Sequence, residues 1–325
     1  MGEYLDGSGL GLTACSRREG NGVSELRFDD RVAIVTGAGR GIGRSHALLL
    51  ASRGARVVVA DLGGDLTGDG ASRAPADDVV SEIRAKGGEA IASCASVAQE
   101  AGAASIVDAA VQAFGRVDVV VNNAGIHDPA PFDRLRAEQF RAMLDVHLFG
   151  TIFVTRAAWP HFVAAGYGRV VNTASEAMLG GIPELTSYAA AKGAVFALTR
   201  NLATEGAAHG VLVNAIAPRA HTRMSASHAK ELASLLSVPP EVMEEINASM
   251  PPDLCAPAAA FLAHESCPLT GEVLQVGMGG VSRLAVVHTT GITKDALSVE
   301  DIADNLDTIM DATDARVTDT TAISS

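Results

Sequence analysis

The run RVAIVT (31–36) passes directly into TGAGRGIG (36–43) and then into a helical pattern, RSHALLLASRG (44–54). A continuous Val/Ile strand, a glycine-rich turn and a helix in immediate succession form a βα unit. Strands of that composition are buried on both faces of a parallel sheet. The pattern repeats with ARVVVAD (55–61), EAIASC (89–94), RVDVVVNN (116–123), GRVVNTAS (168–175), GVLVNAIAP (210–218) and GEVLQV (271–276), and helix-length segments separate the runs. Crossovers of that length join parallel neighbours in the right-handed sense. The expectation is therefore an α/β, Rossmann-type, doubly wound sheet of seven parallel strands with helices on both faces, forming a single domain. Its expected limits are 29–287, preceded by a flexible extension (1–28) rich in Gly, Ser and charge. A C-terminal extension (288–325) follows, with one amphipathic helix (297–311, Ile302, Leu306 and Ile309 on one side) and a disordered last dozen residues.

Composition narrows the function. With 325 residues, 48% of them hydrophobic, the chain can bury a large core, yet its apolar runs are too short and interrupted to span a bilayer. No basic, apolar and small-residue leader pattern opens it. A formal net charge of −13 and the absence of a basic stripe argue against nucleic-acid binding. The four cysteines (Cys15, Cys94, Cys255, Cys267) are scattered, with no C-x-x-C pair or histidine cluster, which predicts no metal site and a reducing, cytoplasmic setting.

Gly37, Gly41 and Gly43 let the backbone turn tightly and approach a pyrophosphate at a helix N-terminus. Asp61, eighteen residues past Gly43, ends the next strand, where a carboxylate accepts ribose hydroxyls and repels a 2′-phosphate. This favours NAD over NADP. Arg40, inside the loop, argues the other way, because a guanidinium can pair with that phosphate.

Tyr188 and Lys192 lie four apart in SYAAAK, on one face of a helix. A phenol titrates near 10; a neighbouring ammonium and an oxidised nicotinamide would lower that value into a usable range. Ser175, at a strand end, could donate to a substrate oxygen. Y-x-x-x-K alone is common by chance; joined to the glycine loop, Asp61 and Ser175 it points to hydride-transfer chemistry.

These pieces, together with NNAG (122–125) and NAIAP (214–218), resemble the short-chain dehydrogenase/reductase family in its own order over most of 29–285. More narrowly, VVVADLGGDLTGDG (57–70), DVHLFGTIFVTRAAW (145–159), YGRVVNTAS (167–175), FLAHESC (261–267) and LSVEDIADNL (297–306) resemble the (3R)-hydroxyacyl-CoA dehydrogenase portion of peroxisomal multifunctional enzymes type 2 (17β-hydroxysteroid dehydrogenase type 4). The resemblance implies catalysis by Ser175, Tyr188 and Lys192. His147 stands where the family usually has Asn; there it would join a proton relay, its ring titrating near pH 6.5, or serve packing alone. The implied cofactor contacts are Gly37, Arg40, Gly41, Ile42, Gly43, Asp61, Ser96, Val97, Asn123, Ala124, Gly125, Tyr188, Lys192, Pro218 and Thr222. Arg219 replaces the usual glycine after Pro218, and with His221 and Arg223 it could receive CoA phosphates or contact the cofactor's pyrophosphate, or lie in a solvated loop. Tyr167, Glu176 and Met178 flank the fifth strand as candidate pocket residues, and 225–250 is a helical cover broken by proline. The implied reaction is oxidation of a (3R)-3-hydroxyacyl-CoA by NAD; a hydroxysteroid or other secondary alcohol, and a non-catalytic dinucleotide-binding scaffold, are the alternatives. A homodimer or homotetramer through 138–164 and 187–208 is implied as well.

Overall fold

The computed structural model describes residues 25–227, 233 and 238–318. Seven strands run parallel: β1 (Val32–Thr36), β2 (Arg56–Ala60), β3 (Ala90–Ser93), β4 (Val119–Asn122), β5 (Gly168–Thr173), β6 (Val211–Pro218) and β7 (Val273–Gly277). The sheet order is β3-β2-β1-β4-β5-β6-β7-β8, and the last strand, β8 (Gly280–Leu284), pairs antiparallel with β7. The doubly wound fold is as expected; the eighth strand is an addition to it. Four of its five residues are exposed, so β8 lacks the Val/Ile run that marks a strand buried on both faces.

The side-chain period of two divides the core. Ala33 and Val35 of β1 are in register with Val57 and Val59 of β2 and with Val119 and Val121 of β4. All six face one layer, formed by α1 (Gly41–Ser52), α2 (Ala74–Ala85) and a helix at Ala256–Ala263. Val32, Ile34, Val58 and Val120 face the opposite layer, formed by α3 (Glu100–Phe114), α5 (Gly150–Ala165) and α6 (Thr186–Gly206). Each fully buried Val or Ile contributes about 1.5–3 kcal/mol relative to exposure, so a one-residue register slip would invert both layers and is strongly disfavoured. Phe28, expected in the N-terminal extension, is 2% exposed and part of the first layer.

Strand order reverses between β1 and β4, which opens a crevice beyond their C-terminal ends. The glycine loop leaves β1 there and Asn123–Gly125 leave β4. α4 (Ala137–Leu144) leads through a π turn (Asp145–Phe149) into α5. After β6 come α7 (Arg223–Ser227) and α8 (Pro240–Ala248), with α9 (Ala256–Ala263) behind; most of 228–237 lies outside the described residues. The expected helix at 297–311 is two short helices, α10 (Val299–Asp304) and α11 (Leu306–Met310), divided at Asn305 (φ −119°). Arg316–Val317, in the stretch expected to be disordered, pairs antiparallel with Val287–His288. Among the described residues no helix is long and apolar enough to cross a membrane.

Candidate active site

Thr36 and Asn123 tie the two edges of the crevice together. Thr36 Oγ1 accepts from the amides of Asn123 (3.0 Å) and Ala124 (3.1 Å), and Asn123 Nδ2 donates to the carbonyls of Thr36 (3.0 Å) and Gly37 (3.1 Å). Gly37 has φ +64°, and a Cβ on Gly43 would lie 2.2 Å from the Gly37 carbonyl oxygen. The loop is thus a bare backbone cradle at the start of α1, the form in which amide N–H groups and a helix dipole receive a pyrophosphate.

Two chambers adjoin this cradle and share Gly37, Arg40, Asp65, Gly125 and Arg223. One, of about 340 Å³, is lined by Asp61, Ser96, Val97 and Ala124. The other, of about 350 Å³, is lined by Gly41, Ile42, Asn123, His147, Tyr188, Lys192, Pro218 and Thr222, with Ile182, Leu185 and Met224 adding apolar wall. At the edge of the second chamber the His127 amide donates to the Leu66 carbonyl (2.7 Å). Asp61 accepts from the Gly39 amide with Oδ2 and from the Gly63 amide with Oδ1, both at 2.7 Å. Each oxygen keeps a second lone pair for a ribose hydroxyl. The bare glycine backbone, the remaining lone pairs of Asp61 and the two adjoining chambers fit a nicotinamide dinucleotide.

Helix α6 carries Tyr188 and Lys192 one turn apart. Lys192 is 3% exposed; its Nζ donates to the Thr173 carbonyl at 2.5 Å and lies 5.6 Å from the Tyr188 ring centre. Ser175 Oγ accepts from the Ala177 amide (3.2 Å), which aims it at the phenol. Burial raises the Tyr188 pKa while a hydrogen bond with Ser175 opposes the rise, and burial lowers Lys192 to about 7. Desolvation penalises both charged forms, so the protein's own groups do not by themselves lower the phenol; the lowering expected above needs the oxidised nicotinamide as well as the ammonium.

His147 is 2% exposed and sits in the π turn, a distortion that recurs at functional sites. We assign the Nε2–H tautomer, because Nε2 lies 2.9 Å from the Ile126 carbonyl oxygen, closer than the Ile126 amide at 3.2 Å. Nδ1 has no hydrogen-bond partner among the described residues. The ring meets Tyr188 edge-on, centres 5.2 Å apart, and a Cβ on Gly125 would fall 2.5 Å from its Cε1. Burial, with Lys192 adding to it, pushes the His147 pKa well below 6.5. The expected titration near that value is thereby corrected: the ring is neutral through the physiological range. Its peptide carbonyl accepts from Thr151 Oγ1 at 2.8 Å.

A family model described as short chain dehydrogenase matches residues 31–233. The chain belongs to that family. It is 45% identical over 289 residues to a short-chain type dehydrogenase/reductase of Mycobacterium tuberculosis, covering 89% of this chain and 96% of the relative. It is 41% identical over 297 residues to the mouse peroxisomal multifunctional enzyme type 2, covering 90% of this chain but only 38% of that enzyme's length. A solved structure of 7α-hydroxysteroid dehydrogenase, complexed with NADH and 7-oxo glycochenodeoxycholic acid, matches with a TM-score of 0.67 at 32% identity, covering 78% of this chain and 96% of the other. The resemblance read from the motifs is thus borne out, and this short-chain dehydrogenase is an oxidoreductase acting on CH–OH groups with a nicotinamide dinucleotide.

Two sequence expectations at the substrate end change in this dehydrogenase, and one residue there was missed. Arg219 does not stand free for a phosphate: its Nε and an Nη hold both oxygens of Glu176 at 2.5 and 2.6 Å. Tyr167 lies at the opposite end of β5 from Ser175, its ring between the guanidinium groups of Arg31 (4.0 Å) and Arg169 (4.3 Å). His127, which the motif reading passed over, is buried, lines the Tyr188 chamber and faces the Tyr188 ring edge-on at 6.3 Å. Its signal was its place just past NNAG, at the C-terminal end of β4, where loops of doubly wound sheets carry ligand contacts.

Proposed function

We propose that this dehydrogenase oxidises a (3R)-3-hydroxyacyl-CoA to the 3-ketoacyl-CoA with NAD. The observation that carries the chemistry is the convergence of Ser175, Tyr188 and Lys192 beside one chamber that continues into the glycine cradle. The acyl-CoA assignment is supported by similarity to the multifunctional enzyme over 90% of the chain. Asp61 supports NAD over NADP.

The bound dinucleotide supplies the hydride acceptor and, when oxidised, a positive charge that draws the Tyr188 phenol toward phenolate. Ser175 Oγ–H donates to the substrate hydroxyl oxygen and Tyr188 Oη takes the hydroxyl proton. Lys192, anchored on the Thr173 carbonyl, holds the nicotinamide ribose; titrating at about 7, it passes the proton from the phenol toward solvent near neutral pH. In this reading the His147 peptide carbonyl, which also accepts from Thr151 Oγ1, would hold a water on that route, while its ring packs edge-on against Tyr188.

A free hydroxysteroid is the second reading, favoured by the solved hydroxysteroid dehydrogenase match and by the apolar wall of Ile182, Leu185 and Met224. Steady-state NAD reduction with (3R)- and (3S)-3-hydroxyacyl-CoA and with hydroxysteroids, each also run with NADP, separates the readings. The expected result is a kcat/KM for the (3R)-thioester with NAD about 100-fold above every other pairing, within the range that differences in pocket fit supply. Preferential steroid turnover would replace the assignment. The reading also includes a homodimer or homotetramer through α5 and α6, checked by sedimentation, and a cytoplasmic setting supported by the free thiols of Cys94, Cys255 and Cys267.

A further inference from the structure

Glu176 follows the catalytic serine directly, and Arg219 opens the segment leading to α7. Their side chains meet in a two-point contact, the planar fork geometry in which guanidinium and carboxylate bond most strongly. Glu176 also accepts from the side chain of Gln275 on β7, whose own Oε1 accepts from Ser282 Oγ of β8 at 3.2 Å. One polar chain thus links the exits of β5 and β6 to the edge hairpin.

The Arg219 backbone is held as firmly. Its amide donates to the Val276 carbonyl at 2.7 Å, and Cys255 Sγ lies 3.6 Å from its carbonyl oxygen. Gly277, at φ +150°, makes room for it: a Cβ there would sit 2.3 Å from the same oxygen. Three residues downstream the segment carries Thr222, Arg223 and Met224 into the wall of the Tyr188 chamber. Neither Glu176 nor Arg219 lines that chamber, so neither is placed to touch the reacting atoms.

We propose that Glu176 and Arg219 are positioning residues: their ion pair clamps the Pro218–Met224 segment onto the turn that holds Ser175 and so fixes the substrate-facing wall. Pairing also cancels charge. An unpaired Glu176 beside Ser175 would repel an anionic substrate, and an unpaired Arg219 would draw its phosphates away from the chamber. The two groups are 33% and 48% exposed, so the effect is modest, but a bidentate contact within a network exceeds the near-zero value of an ordinary surface pair.

The test compares Glu176→Gln, Arg219→Gln and the double exchange Glu176→Arg with Arg219→Glu in the full chain. Amide hydrogen exchange over 218–227 is expected to quicken about fivefold in each single variant and to return to within about twofold of wild type in the exchange, while β5 and β6 stay protected. With the secondary alcohol that wild type turns over best, KM is expected to rise about fivefold, with kcat and NADH affinity within about twofold. Unchanged exchange, acceleration spread equally into β5 and β6, or a double variant no better than the single ones overturns the clamp. The kinetic arm rests on the proposed reaction and the exchange arm does not. A normal exchange response without acyl-CoA turnover therefore counts against the substrate and leaves the clamp standing.

Discussion

The two ends of the cleft are built on different principles. At the β1–β4 end, recognition is done by backbone: Gly37 and Gly43 press together, Asn123 bonds two carbonyls of the loop, and Asp61 braces it through the Gly39 amide. At the β5–β6 end the proposed site is made of side chains from separate elements: Ser175 past β5, Tyr188 and Lys192 on α6, His147 in the π turn, and behind them Glu176 with Arg219. A backbone cradle is fixed by local spacing and admits one ligand geometry, whereas side chains gathered from four elements can be exchanged singly. This difference is how one fold keeps its cofactor while the alcohol it oxidises varies.

If the division is right, the deepest loss of rate comes from the side-chain end without loss of cofactor. Tyr188→Phe is expected to lower kcat about 10²–10⁴-fold, the range for removing a positioned base, with NADH affinity by fluorescence titration within about twofold. Retention of more than about a tenth of the activity would make another group the base. The opposite pattern is expected at the cradle. In Gly43→Ala the new methyl meets the Gly37 carbonyl and the Asn123 amide that braces it, so NADH affinity should fall about 10–100-fold, in line with about 1–3 kcal/mol of overpacking. Its kcat at saturating dinucleotide should stay within about threefold, and a large fall in kcat there would break the division.

The smallest effect concerns stability and pH. The Lys192 pKa is lowered from 10.5 to about 7 in the fold, so between those values the unfolded chain binds more protons and wild-type stability rises with pH. Lys192→Met lacks this dependence. Urea unfolding should show its stability relative to wild type greatest at pH 6.5 and declining toward pH 10, by at most about 4 kcal/mol. A constant difference across that range would mean that Lys192 is charged in the folded protein at neutral pH.

How much was legible follows the same division. The strand–glycine–helix succession, the acid at the end of β2 and the Tyr-Lys spacing are short-range patterns, and each element formed close to its expected limits. His147 was singled out by its place in a motif, but its neutrality was not legible. Burial between Gly125 and Tyr188 sets that, and both come from other elements. Arg219 looked like a free cation because its partner lies 43 residues away in sequence. Tyr167 looked like a pocket residue because it adjoins β5, until strand direction placed it at the far end.

The sequence by itself determined the doubly wound sheet, the glycine cradle and the residue types of the proposed catalytic set. Periodicity, turn chemistry and helix spacing act over a few residues and need no distant partner. Only the tertiary structure decided which charges persist: burial holds His147 neutral and brings Lys192 to about 7, and the convergence of β5 and β6 joins Glu176 to Arg219. Desolvation and ion pairing depend on what surrounds a group in space, and that is settled when distant strands are brought side by side.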